Sequence, residues 1–250
     1  MLKAILHGKA GRIERNKDES VSWSSLFKAR EDLLTSTVFE RFAYLSDSVQ
    51  NHLIQHWFSE SRGIALAKLG EFESISYWPR FEHQHERGTN QVEPDLIIHF
   101  THCNILVEVK PPEGGDQNFG QWHKEIDSFL QADIDPDKPF YFLAIGRNKK
   151  QQAKTWTDKL LLKFNQLKGI AVIEWCEVTE QIIDLIADQN LTGKESLNKQ
   201  DRHILADILA GLSLYGLQIT PFKWSQLKAN VLPPLSLQHQ LLQPVSKGSK

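Results

Sequence analysis

The sequence predicts a three-layer α/β fold with a mixed central sheet, and three observations predict it. Apolar runs of strand length alternate with amphipathic segments of helical period, in the order helix, strand, strand, strand, helix, strand. Two of the runs, Leu96–Phe100 and Ile105–Val109, are joined by a polar turn, the pattern of a β-hairpin buried on at least one face. The length of 250 residues suits one α/β domain with additions, or one domain with a small helical appendage.

The elements follow in order. Residues 1–20 are polar and mixed in charge, compatible with a short strand pair or a loose arm. Ser24–Leu34 reads as a short helix, and Thr35-Ser36 as the N-cap of the next, with capping-box spacing from Thr37 to Glu40 and an apolar stripe of Val38, Phe39, Phe42 and Leu45. Val49–Phe58 is a further helix, Phe72–Phe81 a first strand and Glu82–Gln91 a polar loop. After the hairpin, Phe119–Ala132 is helical, with Phe119, Trp122, Ile126, Phe129 and Leu130 on its core face and Gln121, Glu125 and Ser128 as an adjoining polar stripe. Phe140–Ile145 is a buried strand, Gln151–Leu167 a helix, Ile170–Trp175 a strand, and Thr179 caps a helix carrying Ile182, Ile183, Leu185 and Ile186. A polar linker at Gln189–Lys199 divides residues 1–188, the main domain, from a C-terminal extension at 189–250, which holds an apolar helix at His203–Gly216 and a proline-containing tail in which Phe222 and Trp224 are expected to pack on the body.

Composition narrows the function classes. Apolar residues make up 40% and charged residues 24%, as in globular proteins that stay in water. No apolar run is long enough to span a bilayer, the N-terminal segment lacks a signal-peptide core, and Cys103 and Cys176 make no disulfide framework, so a cytoplasmic protein is expected. The net charge of −2 excludes a generally basic nucleic-acid binder. The charges are nevertheless segregated. Acids outnumber bases from Glu71 to Asp116, whereas 138–157 contains no acid and carries Lys138, Arg147, Lys149, Lys150 and Lys154. An acidic pocket flanked by basic segments suits a metal site acting on a polyanion, with Arg147, Lys149, Lys150 and Lys154 as candidate phosphate contacts. His83, His85, His99, His102 and Cys103 are zinc-type residues, but their spacing fits no closed four-ligand motif.

The chemistry concentrates in the hairpin. Side chains alternate along a strand, so Glu108 and Lys110 point one way and Val107 and Val109 the other. In an antiparallel hairpin the start of one strand lies beside the end of the next, which sets Asp95 next to Glu108 and Lys110. Two carboxylates and an amine at a buried strand end need compensation, and Mg²⁺ or Mn²⁺ supplies it through oxygen ligands.

Pro94-Asp95, a strand-length gap and then Glu108-Val109-Lys110 resemble the motif of the PD-(D/E)XK nuclease superfamily. The resemblance covers roughly Phe72 to Gly146 and implies a restriction-endonuclease-like core with a mixed sheet flanked by helices. It further implies that Asp95, Glu108 and the carbonyl of Val109 hold Mg²⁺ or Mn²⁺, while Lys110 positions or helps deprotonate the attacking water. Glu31-Asp32-Leu33-Leu34-Thr35 is similar to the first helix of many such nucleases, which gives Glu31 an approach to the metal, with Glu40 competing for that role. Gln121 matches a glutamine that some branches add, although the aromatic usually found four residues later is replaced by Glu125. The implied function is metal-dependent hydrolysis of phosphodiester bonds, with DNA as the expected substrate, in a bacterial antiphage or mobile-element system. The chain has no phosphate-binding glycine loop of its own, so an energy-consuming step would fall to an ATPase or other partner subunit. The competing expectation is a catalytically silent nuclease-like subunit that binds DNA or serves assembly.

Overall fold

The computed structural model describes residues 2–16, 19–28, 30–62, 66, 68–85, 88–187 and 197–220. The elements are α1 (Leu2–Leu6), β1 (Arg12–Asn16), β2 (Glu19–Ser22), α2 (Trp23–Lys28), α3 (Glu31–Phe42), α4 (Asp47–Arg62), β3 (Phe72–Tyr77), β4 (Phe81–His85), β5 (Gly88–Val92), β6 (Leu96–Phe100), β7 (Asn104–Val109), α5 (Phe119–Gln131), β8 (Phe140–Ile145), α6 (Lys150–Lys163), β9 (Leu167–Ile173), α7 (Trp175–Ala187) and α8 (Lys199–Ser213).

A five-stranded sheet in the order β3-β6-β7-β8-β9 forms the middle layer. It is mixed: β3, β6 and β7 pair antiparallel, whereas β7, β8 and β9 pair parallel. Alternation along the strands feeds two cores. Ile105, Val107 and Val109 of β7 and Tyr141, Leu143 and Ile145 of β8 join α3, α4, α7 and α8 on one face. Leu106 and the β8 residues Phe140, Phe142 and Ala144 join α5 and α6 on the other. All residues of β7 and β8 are buried, the pattern of parallel strands covered on both sides. Each buried aliphatic side chain stabilises the fold by about 2 kcal/mol. The apolar residues therefore hold the sheet together, and the acids buried among them are a cost to be offset.

Two helix starts show how the layers are fixed. Asn118 caps α5 by accepting from the Gln121 N–H at 3.1 Å. Asn198 caps α8 by accepting from the Asp201 N–H at 2.7 Å, and the buried Asp201 carboxylate accepts in turn from Ser46 N–H (2.9 Å) and Ser46 Oγ (2.7 Å), tying α8 to the turn before α4. Gly211 of α8 lies against Thr37 of α3, where a Cβ would collide with the threonine methyl.

Several expectations are corrected. The cap at Thr35-Ser36 does not exist: α3 runs unbroken from Glu31, because Thr35 and Thr37 are buried in its packed face and Glu31 and Asp32 supply the acidic first turn a helix N-terminus favours. The polar segment 82–91 is not a loop but the arms of a second hairpin, β4 with β5, which docks on α5 through Phe81, His83 and Gln84. The strand placed at Ile170–Trp175 runs instead from Leu167 to Ile173, and Trp175 opens α7. Thr179 lies inside that helix and donates back to the Cys176 carbonyl at 2.7 Å. By compactness one unit runs from Met1 to Ile219 and includes α8. The remaining unit is Thr220–Lys250, and Phe222 and Trp224 lie outside the described residues. Among the described residues no helix is long and apolar enough to cross a membrane.

Candidate metal centre

The antiparallel register of the β6–β7 hairpin, with Leu96 opposite Val107, carries Asp95 to the level of Glu108 and Val109 at one end of the sheet. Asp95 is fixed twice. Its Oδ2 accepts from the Val109 N–H at 2.7 Å, and its backbone carbonyl accepts from the Trp78 N–H at 2.9 Å. Glu108 shares the α5 face of β7 with Leu106, so it meets α5, where Gln121 Nε2 donates to its Oε1 at 2.6 Å. The first turn of α3 reaches the same point from the opposite layer: Lys110 Nζ donates to Glu31 Oε1 at 3.0 Å and also to Glu108 Oε1. One oxygen each from Glu31, Asp95 and Glu108 lies within 4.8 Å of the others.

A backbone scaffold sets the position of Lys110. Its N–H donates to the Ile145 carbonyl at 2.8 Å, and its own carbonyl accepts from Trp175 Nε1 at 2.7 Å. Gly146, at φ +113°, packs so closely on that carbonyl that any side chain would collide with it. Gln117, also buried, donates to the Ile145 carbonyl at 3.0 Å and accepts from Trp122 Nε1 at 2.7 Å, joining the α5 core to the strand ends.

The electrostatics follow from burial. Asp95 and Glu108 are 6% and 1% exposed. Burial, then the neighbouring Glu108, pushes Asp95 up to about 9, against the pull of the Val109 N–H. Burial and then Glu125 raise Glu108 well above the ordinary carboxyl range, although Lys110 opposes them. Burial alone would lower Lys110, but Glu108 and Glu31 outweigh it and leave the amine a firm cation. Desolvation also lifts Glu125 to about 7. With a single ammonium beside them, the buried acids keep their protons well above the ordinary carboxyl range.

The donor set consists of hard oxygens held by three separate elements, and the carboxyl Oε2 of Glu125 is buried without a hydrogen-bond partner. Both features fit a divalent cation of the Mg²⁺ or Mn²⁺ type. Glu31, Asp95, Glu108, Lys110 and Gln121 therefore meet in one place. Val109 lies between the two charged residues, with its N–H engaged by Asp95. Glu40 does not join the group, which takes its helix acid from Glu31. Arg147 and Lys149 are exposed on the segment after β8, at the same end of the sheet, and Arg147 pairs with Asp116 at 3.3 Å. Lys154 is exposed in α6, and the side chain of Lys150 lies outside the described residues.

Sequence reasoning placed Glu125 on a polar stripe beside the core face and gave no part to Gln117, Gly146 or Trp175. The signal for Glu125 was present, since it lies three residues after Trp122 and four before Phe129 and so falls within the buried face of α5. Nothing local marks the other three, whose roles arise from contacts between distant segments.

No family model matches the chain, and no solved structure matches it. The chain is similar to an uncharacterized protein, PM0110, of Pasteurella multocida (strain Pm70), with 26% identity over 253 residues that cover 95% of this chain and 89% of the relative.

Proposed function

We propose that the protein is a divalent-metal-dependent nuclease of PD-(D/E)XK type with a restriction-endonuclease-like core, acting on DNA. One observation carries the reading: carboxylate oxygens of Glu31, Asp95 and Glu108 lie within 4.8 Å of one another, with the Lys110 ammonium on two of those residues. Glu31, Asp95 and Glu108 are the residues that would hold the cation. Bound there, Mg²⁺ or Mn²⁺ would supply Lewis-acid stabilisation of charge on the phosphate oxygens and a more acidic water.

The protein's own groups do the rest. The Val109 N–H holds Asp95 in one rotamer, and Gln121 holds Glu108, so neither acid needs to reorganise as charge develops. Lys110, kept cationic by Glu108 and Glu31, orients a water and faces the growing negative charge on the phosphate. Arg147, Lys149 and Lys154 are the candidate contacts to the nucleic-acid backbone. The test is nicking of plasmid DNA by the purified chain with Mg²⁺ or Mn²⁺. Cleavage lost in both Asp95→Ala and Lys110→Ala, with folding intact, is the expected result. Cleavage that survives both changes, or that proceeds in a chelator, overturns the reading.

A further inference from the structure

Glu125 is the acid of this region that the proposed reaction does not employ. It stands one helical turn beyond Gln121 on α5, between the core residues Trp122 and Phe129, and is 1% exposed. Its carboxyl lies within hydrogen-bonding reach of Gln121 and Glu108, yet its Oε2 has no hydrogen-bond partner. A leucine would fill this helix position without the desolvation penalty, and Gln121 already has an acceptor in Glu108. Packing therefore leaves the acid at 125 unexplained, and its Oε2 stays without a partner. Glu108, Asp95 and Lys110 act on it, and the first two belong with Glu31 to the carboxylate group on which that ammonium lies.

We propose that Glu125 is a fourth carboxylate of the cation centre, a positioning residue whose negative charge behind Glu108 tightens the binding of a divalent ion by Glu31, Asp95 and Glu108. The inference rests on the metal-centre reading. It also predicts that charge at position 125, rather than shape, is what matters. Glu125→Asp keeps the charge on a shorter arm, and Glu125→Gln keeps the shape without the charge.

The experiment is calorimetric titration of Mn²⁺ into metal-free full-length protein: the wild type, Asp95→Asn, Glu125→Gln and Glu125→Asp. The wild type is expected to bind, Asp95→Asn not to bind, and Glu125→Gln to bind about tenfold more weakly, the scale on which groups that support a metal ligand act. Glu125→Asp is expected to stay tighter than Glu125→Gln. If the wild type binds and Asp95→Asn does not, but Glu125→Gln matches the wild type, Glu125 is structural and this inference falls while the metal centre stands. If the wild type takes up no Mn²⁺, both fall. The melting temperature of each metal-free variant checks folding. Should Glu125→Gln not fold, Glu125→Leu, which removes the charge and suits the apolar helix face, decides in its place: binding about tenfold weaker than wild type supports the role, and affinity equal to wild type overturns it.

Discussion

The two ends of the central sheet both carry clustered acids, and the contrast between them separates a candidate site from a solvated loop. At the starts of β7 and β8, Asp133, Asp135 and Asp137 crowd one short turn. All are on the surface or partly exposed, and Asp135 accepts from Asn104 Nδ2 at 3.2 Å and pairs with Lys138 at 3.7 Å. At the ends of the same two strands, Asp95, Glu108 and Glu125 are buried, and Lys110 is the cation paired with the group. Water and local partners satisfy the first cluster. In the second, burial holds the acids protonated well above the ordinary carboxyl range, and on the proposed reading a cation would replace those protons.

The sharpest way to break the contrast is to remove one ligand. Asp95→Ala or Glu108→Ala should abolish Mn²⁺ uptake in calorimetry and lower DNA nicking on the order of a thousandfold or more. Wild-type nicking in either variant would erase the distinction between the two ends. Next in size is Lys110→Met, which should slow cleavage by about a hundredfold while leaving Mn²⁺ affinity equal or tighter, because the ammonium competes for Glu31 and Glu108. Rate and affinity falling together would instead make Lys110 a structural pair. Gln121→Ala frees Glu108 to reorient and should reduce the rate by about tenfold, less than the loss of a ligand; unchanged kinetics would return Gln121 to the helix surface.

A smaller effect sharpens the comparison through pH. Asp95 has a folded-state value near 9 against an ordinary 3.8, so the native protein keeps a proton that the unfolded chain has released. The native form then binds more protons than the unfolded one across that interval, and stability falls as pH rises from about 4 to 9. The melting temperature of metal-free protein should decline over this window, and Asp95→Asn should flatten the decline. Saturating Mg²⁺ should flatten it too, since a cation replaces the proton. A profile unaffected by Asp95→Asn would show that other groups set it. Smallest of all, Asp135→Ala at the opposite end should leave Mn²⁺ affinity within about twofold, as an exposed pair contributes little.

The sheet and its hairpin were legible because continuous apolar runs of strand length announce themselves: Leu96–Phe100 and Asn104–Val109 coincide with the predicted strands to within one residue. The convergence of Asp95, Glu108 and Lys110 followed from strand alternation and the antiparallel hairpin, whereas that of Glu31 and Gln121 needed the resemblance. The errors have a common physical source. Thr35 and Thr37 suggested a cap from their local chemistry, but burial in the α3 face overrode it. The second hairpin looked like a loop because its exposed edge is polar, while its inward residues Phe81 and His83 are too few to show a period. Glu125 was read by its polarity and not by its angular position between two aromatic residues.

Gly146 ties the amine of the centre to a strand that bears no acid. Anything larger there would shove the Lys110 carbonyl off Trp175 and drag the ammonium with it, leaving every charged residue in the sequence intact. On the proposed reading, a relative that keeps all the acids and the lysine but replaces this glycine would lose the placement of its amine without showing it in its motif, and the residue to inspect in such a chain is the small one after β8.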